Sequence, residues 1–383
     1  MSWKHLFSRA LAAAPGRLHM AAHSHHLWPD ATRDAQLAAW DDAARLADHK
    51  WDRALGDVMP AVQAGIAAEL GLPSPGSLAF APNTHELIVR LVSARERRPV
   101  RILSTDGEFH SFRRQSARWA EASDIRLETV PTDPWDDFPE RFAARARSGD
   151  HDLIFASHVF FRTGRVFEAL PALADLAEPD GPWLVIDGYH GFMALPTDLS
   201  AVSHRVFYTA GGYKYAMAGE GAAFLHVPPG FGPRPAITGW FAEFEDLTAP
   251  PDRIGYAPDG RRFLGATFDP SGLYRLAAVF DLLRREGLTT TTISAHVEEL
   301  QQRLLGRLDG ALSAAELLNP LDGKPHARFL AFRHPKAAAW KRTLDAAGVV
   351  TDVRDDVLRI GLGLYHDADD VDRFADIARR VLD

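Results

Sequence analysis

Between residues 101 and 209 short apolar runs alternate with longer amphipathic ones, and this alternation restricts the possible folds more than any other feature of the chain. The apolar runs at 101–105, 125–130, 152–157, 184–187 and 206–209 are strand-length and rich in Val, Ile, Leu and Phe. The stretches at 108–122, 135–148 and 168–176 carry apolar residues at helical spacing. Strand and helix in alternation predict a mostly parallel sheet with helices on both faces. Ligands of such sheets sit beyond the carboxyl ends of the strands. His110, Ser157, His158, Asp187, His190 and Lys214 all fall at or just past those predicted ends.

The rest of the chain surrounds this unit. Asp30 is placed to cap a helix over 31–47, inside a helical region that reaches Leu70, and 71–76 reads as a turn. A helix over 87–94 can be capped by Asn83 or Thr84, and a capped helix N-terminus is also an anion site. A plain cap is the alternative there. Beyond a Pro/Gly-rich loop at 228–235, helices over 272–286 and 289–308 lead to a smaller αβ unit. Its pieces are strands at 327–333 and 357–362 and helices at 336–347 and 367–382. A chain of 383 residues, 46% hydrophobic, can bury two cores. The expected division is an N-terminal segment, 1–60, packing with the small domain, a large domain at 61–270, and a small domain at 271–383.

Several function classes are disfavoured. A net charge of -8 argues against a general nucleic-acid or membrane surface. With no cysteine, disulfides, Cys metal sites and Cys nucleophiles are excluded. The first residues, broken by Lys4, Arg9 and Arg17, read as an amphipathic helix and not a signal peptide, so a cytoplasmic enzyme is expected. His19, His23, His25 and His26 cluster before the first long helix, without the spacing of a helical metal site, and no metal is expected. No GxGxxG or P-loop sequence stands at a strand–helix junction.

One lysine then stands out. Lys214 is the only lysine or arginine between Val206 and Val227, among Gly211, Gly212, Tyr213, Tyr215, Gly219 and Gly221. A buried lysine lowers its pKa, and a neutral amine attacks carbonyls. The alternative is a lysine that snorkels out of a hairpin. Upstream, Trp183-Leu-Val-Ile-Asp187 reads as a buried strand ending in a carboxylate, with His190 three residues on. A strand-end Asp ahead of a buried Lys suggests pyridoxal 5′-phosphate, the Asp holding the pyridinium proton and the Lys the aldehyde.

These residues carry a resemblance. Asp187-Gly-Tyr-His190, Tyr213-Lys214-Tyr215, Gly239-Trp240, the loop from Ser24 to Pro29, and Leu358-Arg359-Ile-Gly361 followed by Tyr365 are similar to the class V aminotransferase group of fold-type-I pyridoxal-phosphate enzymes, kynureninase above all. The resemblance implies a large domain with a mostly parallel central sheet and a smaller C-terminal αβ domain. It implies that Lys214 forms the internal aldimine, that Asp187 pairs with the pyridine nitrogen, and that His190 lies near the ring oxygen. It places the phosphate on Asn83, Thr84 and Tyr213 and stacks His110 on the ring. Thr267 and Trp240 then reach the partner's phosphate in a homodimer with shared active sites. Arg359 holds the carboxylate of an amino-acid substrate, with Arg162 and Ser24 beside it. Hydrolytic Cβ–Cγ cleavage is the expected chemistry. An aminotransferase or lyase of the same group is the alternative, and a non-catalytic pyridoxal-phosphate-binding regulatory module is a third reading. Two departures stand against kynureninase. No aspartate occurs in Glu108-Phe-His-Ser-Phe-Arg113, and Phe161-Arg162-Thr163-Gly164 replaces the family's Asn-Glu-Thr-Gly or its tyrosine pair.

For Arg359, the one cation of an apolar strand, the alternative is an edge-strand arginine facing solvent or pairing with an acid such as Asp355.

Overall fold

A computed structural model describes residues 2–246, 250, 253–308, 310 and 312–382. Its centre is a seven-stranded sheet in the order Leu78–Ala81, Ala223–His226, Val206–Gly211, Trp183–Asp187, Leu153–Ser157, Val100–Thr105, Ile125–Val130. The last five are mutually parallel, and Ala223–His226 runs antiparallel to both its neighbours. The core strands are buried along their length, as a sheet covered by helices on both faces requires. Their register sets Ser157 beside Asp187 and Asp187 beside Thr209, so the polar residues at the strand ends form one row.

Helix boundaries differ from expectation where a side chain is drawn elsewhere. The helix expected over 108–122 runs His110–Glu121, because Glu108 is buried and points into the sheet. The stretch expected as a helix over 168–176 is a 3-10 turn, Leu170–Leu176, with Pro171 near its start. Helix Phe138–Ser148 likewise begins three residues later than expected, with Pro139 in its first turn.

A second sheet is antiparallel, in the order Asp352–Arg354, Val357–Gly361, Phe329–Arg333, Glu316–Leu317. Leu18–His19 pairs in parallel with Val349–Val350, which ties the N-terminal segment to this unit. Packing divides the chain differently from the expected boundaries. Leu18 and Met20 belong to the small core, but Phe7, Ala54 and Val58 belong to the large one. Helix Ser271–Arg285 also buries Leu273, Leu276 and Val279 in the large core, and the small core is entered only at Val297. Among the described residues no helix is long and apolar enough to cross a membrane.

Candidate active site

Lys214 lies in the loop that joins Val206–Gly211 to Ala223–His226. Gly219 and Gly221 make the return with φ of +70° and +91°, a region that costs other residues about 1–2 kcal/mol each. Ala218 N–H donates to Gly212 C=O and Met217 N–H to Lys214 C=O, which close the loop on itself. Lys214 is 4% exposed. Its Nζ lies 4.7 Å from the ring centroid of Tyr189 and 5.1 Å from those of Phe109 and Tyr213. Burial pushes its pKa down to about 7, against the opposing pull of the Asp187 charge. A substantial share of this amine is therefore neutral at physiological pH.

Asp187 ends its strand with Oδ1 accepting Tyr189 N–H at 2.9 Å. Its other oxygen makes no hydrogen bond among the described residues. Burial raises its pKa, and the Lys214 charge works against that rise. His190 is buried one turn on and held neutral by burial and by the Lys214 charge. His158, just past the end of the adjacent strand, donates its backbone N–H to Asp187 C=O and keeps a buried Nδ1 with no partner among the described residues.

Arg359 enters from the small sheet. It is 2% exposed, and burial lowers its pKa to about 9. Its Nη1 donates to Phe161 C=O, and its Nη2 forms an ion pair with Asp352. Asp352 is its register partner on the adjoining strand, so the two side chains share one face. The partner suggested by sequence, Asp355, pairs with Arg162 instead, at 3.4 Å, while Asp356 takes the other edge of Arg162 at 2.8 Å. Arg162 is thus occupied by two carboxylates at the rim of the small sheet.

The remaining expected residues are spread more widely. Asn83 Oδ1 accepts Glu86 N–H at 3.0 Å and caps the helix Thr84–Ser93. That bond leaves the first N–H groups of the helix, at Thr84 and His85, without intrahelical partners. Tyr213 stacks on His25 at 5.3 Å and leans on Tyr189 at 4.8 Å. Ser24 Oγ lies 3.2 Å from the neighbouring His25 Nδ1, and its N–H donates to Ala21 C=O at 2.9 Å. Trp240 Nε1 donates to Thr267 Oγ1 at 3.1 Å, and the pair forms an exposed corner. His110 is exposed and packs edge-on against Phe161. The ring over Lys214 from this segment is that of Phe109, one residue earlier.

Sequence reasoning passed over Glu108. It is fully buried, with Oε1 accepting from Thr105 Oγ1 at 2.7 Å and Ser157 N–H at 3.2 Å, and Oε2 from Ser157 Oγ at 2.6 Å. The available signal was the pair of hydroxyl residues ending two neighbouring strands.

The donor set suits pyridoxal 5′-phosphate. Among the described residues, an amine without a carboxylate ion pair, a strand-end carboxylate with one oxygen open, an aromatic wall at Phe109, and a helix N-terminus with N–H groups to spare match its aldehyde, ring nitrogen, ring face and phosphate.

Comparison with known proteins decides the family. The chain is 30% identical to the isopenicillin N epimerase of Streptomyces clavuligerus over 323 residues, 79% of each protein. The chain belongs to the class V aminotransferase group of fold-type-I pyridoxal-phosphate enzymes. A family model described as the kynureninase C-terminal domain matches residues 293–378 of this class V chain, the part that contains Arg359. Its fold is similar to that of the apo cysteine desulfurase of Thermococcus onnurineus NA1, with a TM-score of 0.82 at 18% identity, covering 100% of this chain and 98% of that one. A C-DES variant with glycine covalently linked to its pyridoxal-phosphate cofactor is similar as well, with a TM-score of 0.81 at 17% identity and 99% coverage of both chains. The protein is a pyridoxal-phosphate-dependent class V enzyme.

Proposed function

We propose that the enzyme acts at Cα of an amino-acid substrate and that its favoured outcome is kynureninase-like hydrolytic cleavage of the Cβ–Cγ bond. The observation that carries the Cα assignment is the desolvated Lys214 amine beside Asp187, with Arg359 buried nearby. Pyridoxal phosphate, when bound, supplies the aldehyde and the electron sink. The Arg359 guanidinium takes the substrate's α-carboxylate through its free donors and fixes the direction of the Cα–H bond. Neutral Lys214 Nζ accepts the Cα proton. Asp187 holds a proton on the ring nitrogen. Phe109, Tyr189 and Tyr213 keep water from the amine.

Aromatic surfaces favour an aryl-ketone side chain. Phe109 and Phe161 meet at 5.3 Å in a T-shape, and Phe161 also contacts Arg359. Such a pair suits a planar ring held next to the carboxylate clamp. Water adds to the γ-carbonyl, the Cβ–Cγ bond breaks, and the products are an aryl carboxylic acid and alanine. The match of residues 293–378 to the kynureninase C-terminal domain supports this reading.

The likeness to isopenicillin N epimerase favours a second outcome, return of the proton to the other face of Cα. Desulfurase chemistry that passes sulfur to an enzyme cysteine has no acceptor here. Incubating the holoenzyme with L-kynurenine, 3-hydroxykynurenine and a panel of amino acids separates the outcomes. Alanine with an aryl acid supports hydrolysis, a D-amino acid epimerisation, and a keto acid transamination. If none of the panel perturbs the visible band of the holoenzyme, the assignment to amino-acid Cα chemistry fails.

We propose further that the enzyme is a homodimer in which the Trp240–Thr267 corner completes the partner's phosphate site. Full activity in a monomer during sedimentation at assay concentration would reject this.

A further inference from the structure

The N-terminal loop carries a histidine that the chemistry above does not use. His23 is 0% exposed, and among the described residues neither of its ring nitrogens has a hydrogen-bond partner. Burying such nitrogens unpaired is costly, so the site calls for an explanation. The ring is stacked on Phe329 at 4.6 Å. Phe329 is the register partner of Gly361, and a Cβ on Gly361 would fall 2.0 Å from His23 Nδ1. The missing side chain at 361 is therefore the slot in which the ring lies. The backbone fixes it there: Gly361 N–H donates to Met20 C=O at 2.7 Å, and Ala22 N–H to Gly361 C=O at 3.3 Å.

From that slot, Nε2 faces Asp352 Oδ2 at 3.7 Å. Asp352 in turn pairs with Arg359 Nη2 and, through its other oxygen, with Arg354 Nη1 at 3.1 Å. Two other buried atoms of the same cluster, Arg354 Nε and Arg359 Nε, also lack hydrogen-bond partners among the described residues. Asp352 is held by two arginines, whose pulls differ in direction. His23 Nε2 approaches the same oxygen, Oδ2, that faces Arg359.

We propose that His23 is a positioning residue for Arg359, acting through Asp352, so that the N-terminal loop sets the angle of the guanidinium that receives the substrate's carboxylate. This rests on the reading of Arg359 as the carboxylate clamp. His23 carries the proton on Nε2 and donates it to Asp352 once the ring turns by a small angle in its slot. The consequence is selective. Loss of the His23 donor weakens ligands that carry a carboxylate and spares those that do not.

The test titrates the holoenzyme with two pairs of ligands, L-kynurenine and its decarboxylated amine kynuramine, and L-alanine and ethylamine, following the visible band. For wild type, a carboxylated ligand that binds more tightly than its decarboxylated partner is expected. His23→Ala is expected to weaken the carboxylated member about tenfold, the loss of one hydrogen bond to a charged group, and to leave the amine within about twofold. His23→Asn, which keeps an N–H donor and fits the slot, is expected to recover most of the tenfold. Bound cofactor and thermal midpoint are measured for each variant, and if His23→Ala does not fold, the His23→Asn and His23→Phe pair carries the comparison. Equal loss for both members of a pair makes His23 a packing residue and overturns the proposal, as does unchanged binding. Wild type that perturbs with no carboxylated ligand overturns the clamp itself, and this inference with it.

Discussion

Glu108→Gln is predicted to make the protein's stability less dependent on pH. The Glu108 carboxyl is removed from water, and its three donors, Thr105 Oγ1, Ser157 N–H and Ser157 Oγ, offset only part of the desolvation. Burial is the largest cause of its raised pKa, and the Asp187 charge adds to it, so the carboxyl titrates at about 7 instead of 4.5. Folding thus favours the protonated form. The stabilisation is fully present below pH 4.5 and is lost as the pH climbs through about 7. A rise of this size corresponds to about 3 kcal/mol of lost unfolding free energy at pH 8. Glutamine cannot ionise. Its carbonyl still accepts from Thr105 and Ser157 N–H, and its amide can donate to Ser157 Oγ. Wild type and Glu108→Gln are unfolded with urea as holoproteins between pH 5 and 8.5, and the difference between the two curves is followed. The variant is expected to gain on wild type by about 2.5 kcal/mol from the lowest to the highest pH, since part of the change falls below pH 5. A difference that stays flat refutes the reasoning, because it would mean that the three donors hold Glu108 ionised throughout.

Three further outcomes are expected. Asp187→Asn retains bound cofactor but loses most activity, since a carboxylate at contact distance favours a protonated ring nitrogen by about 4 kcal/mol at an effective dielectric near 20; rates near wild type would place that partner elsewhere. Arg359→Ala lowers kcat/KM by roughly 2–4 kcal/mol with the cofactor spectrum unchanged, and Arg359→Lys, which keeps the charge and loses the fork, does not restore it; a variant that loses the cofactor instead would remove Arg359 from the substrate site. Gly361→Ala places a methyl 2.0 Å from His23 Nδ1 and costs about 1–3 kcal/mol in urea unfolding, and an unchanged midpoint would show that the slot is not tight.

The large sheet was legible because its strands are continuous apolar runs separated by amphipathic helices, each readable without its neighbours. Leu78–Ala81 was not, because four fully buried residues next to a turn carry no periodicity to read. Leu18–His19 and Val349–Val350 were invisible for a different reason: each is a two-residue strand that exists only through a partner more than three hundred positions away. At the site, Lys214 and Asp187 declared themselves because a lone charge in a buried run has few explanations. The partner of Arg359 did not. Asp352, Asp355 and Asp356 all stand within seven residues of it, and only the hairpin register, which sets Asp352 opposite Arg359, separates the one that pairs with it from the two that hold Arg162. The ring of this segment that faces Lys214 is Phe109, in extended backbone before the helix, while His110, expected to stack on the cofactor ring, is exposed at the helix start.

The histidines of the loop before the first long helix make separate contacts. His23 lies against Gly361 and Phe329, His25 stacks on Tyr213, and His26 packs against Tyr365 at 4.9 Å, with a Cβ on Gly363 falling 2.4 Å from its Nε2. Two glycines two residues apart on the same C-terminal segment thus admit two histidines three residues apart on the N-terminal loop. Between them the loop touches the lysine loop on one side, where Tyr213 C=O accepts His26 N–H at 3.2 Å, and the arginine strand on the other. These contacts place the N-terminal loop where the two domains meet, beside the groups assigned to the cofactor and beside the group assigned to the substrate's carboxylate. Residues 21–26 thus contact both the strand that carries Arg359 and the loop that carries Lys214.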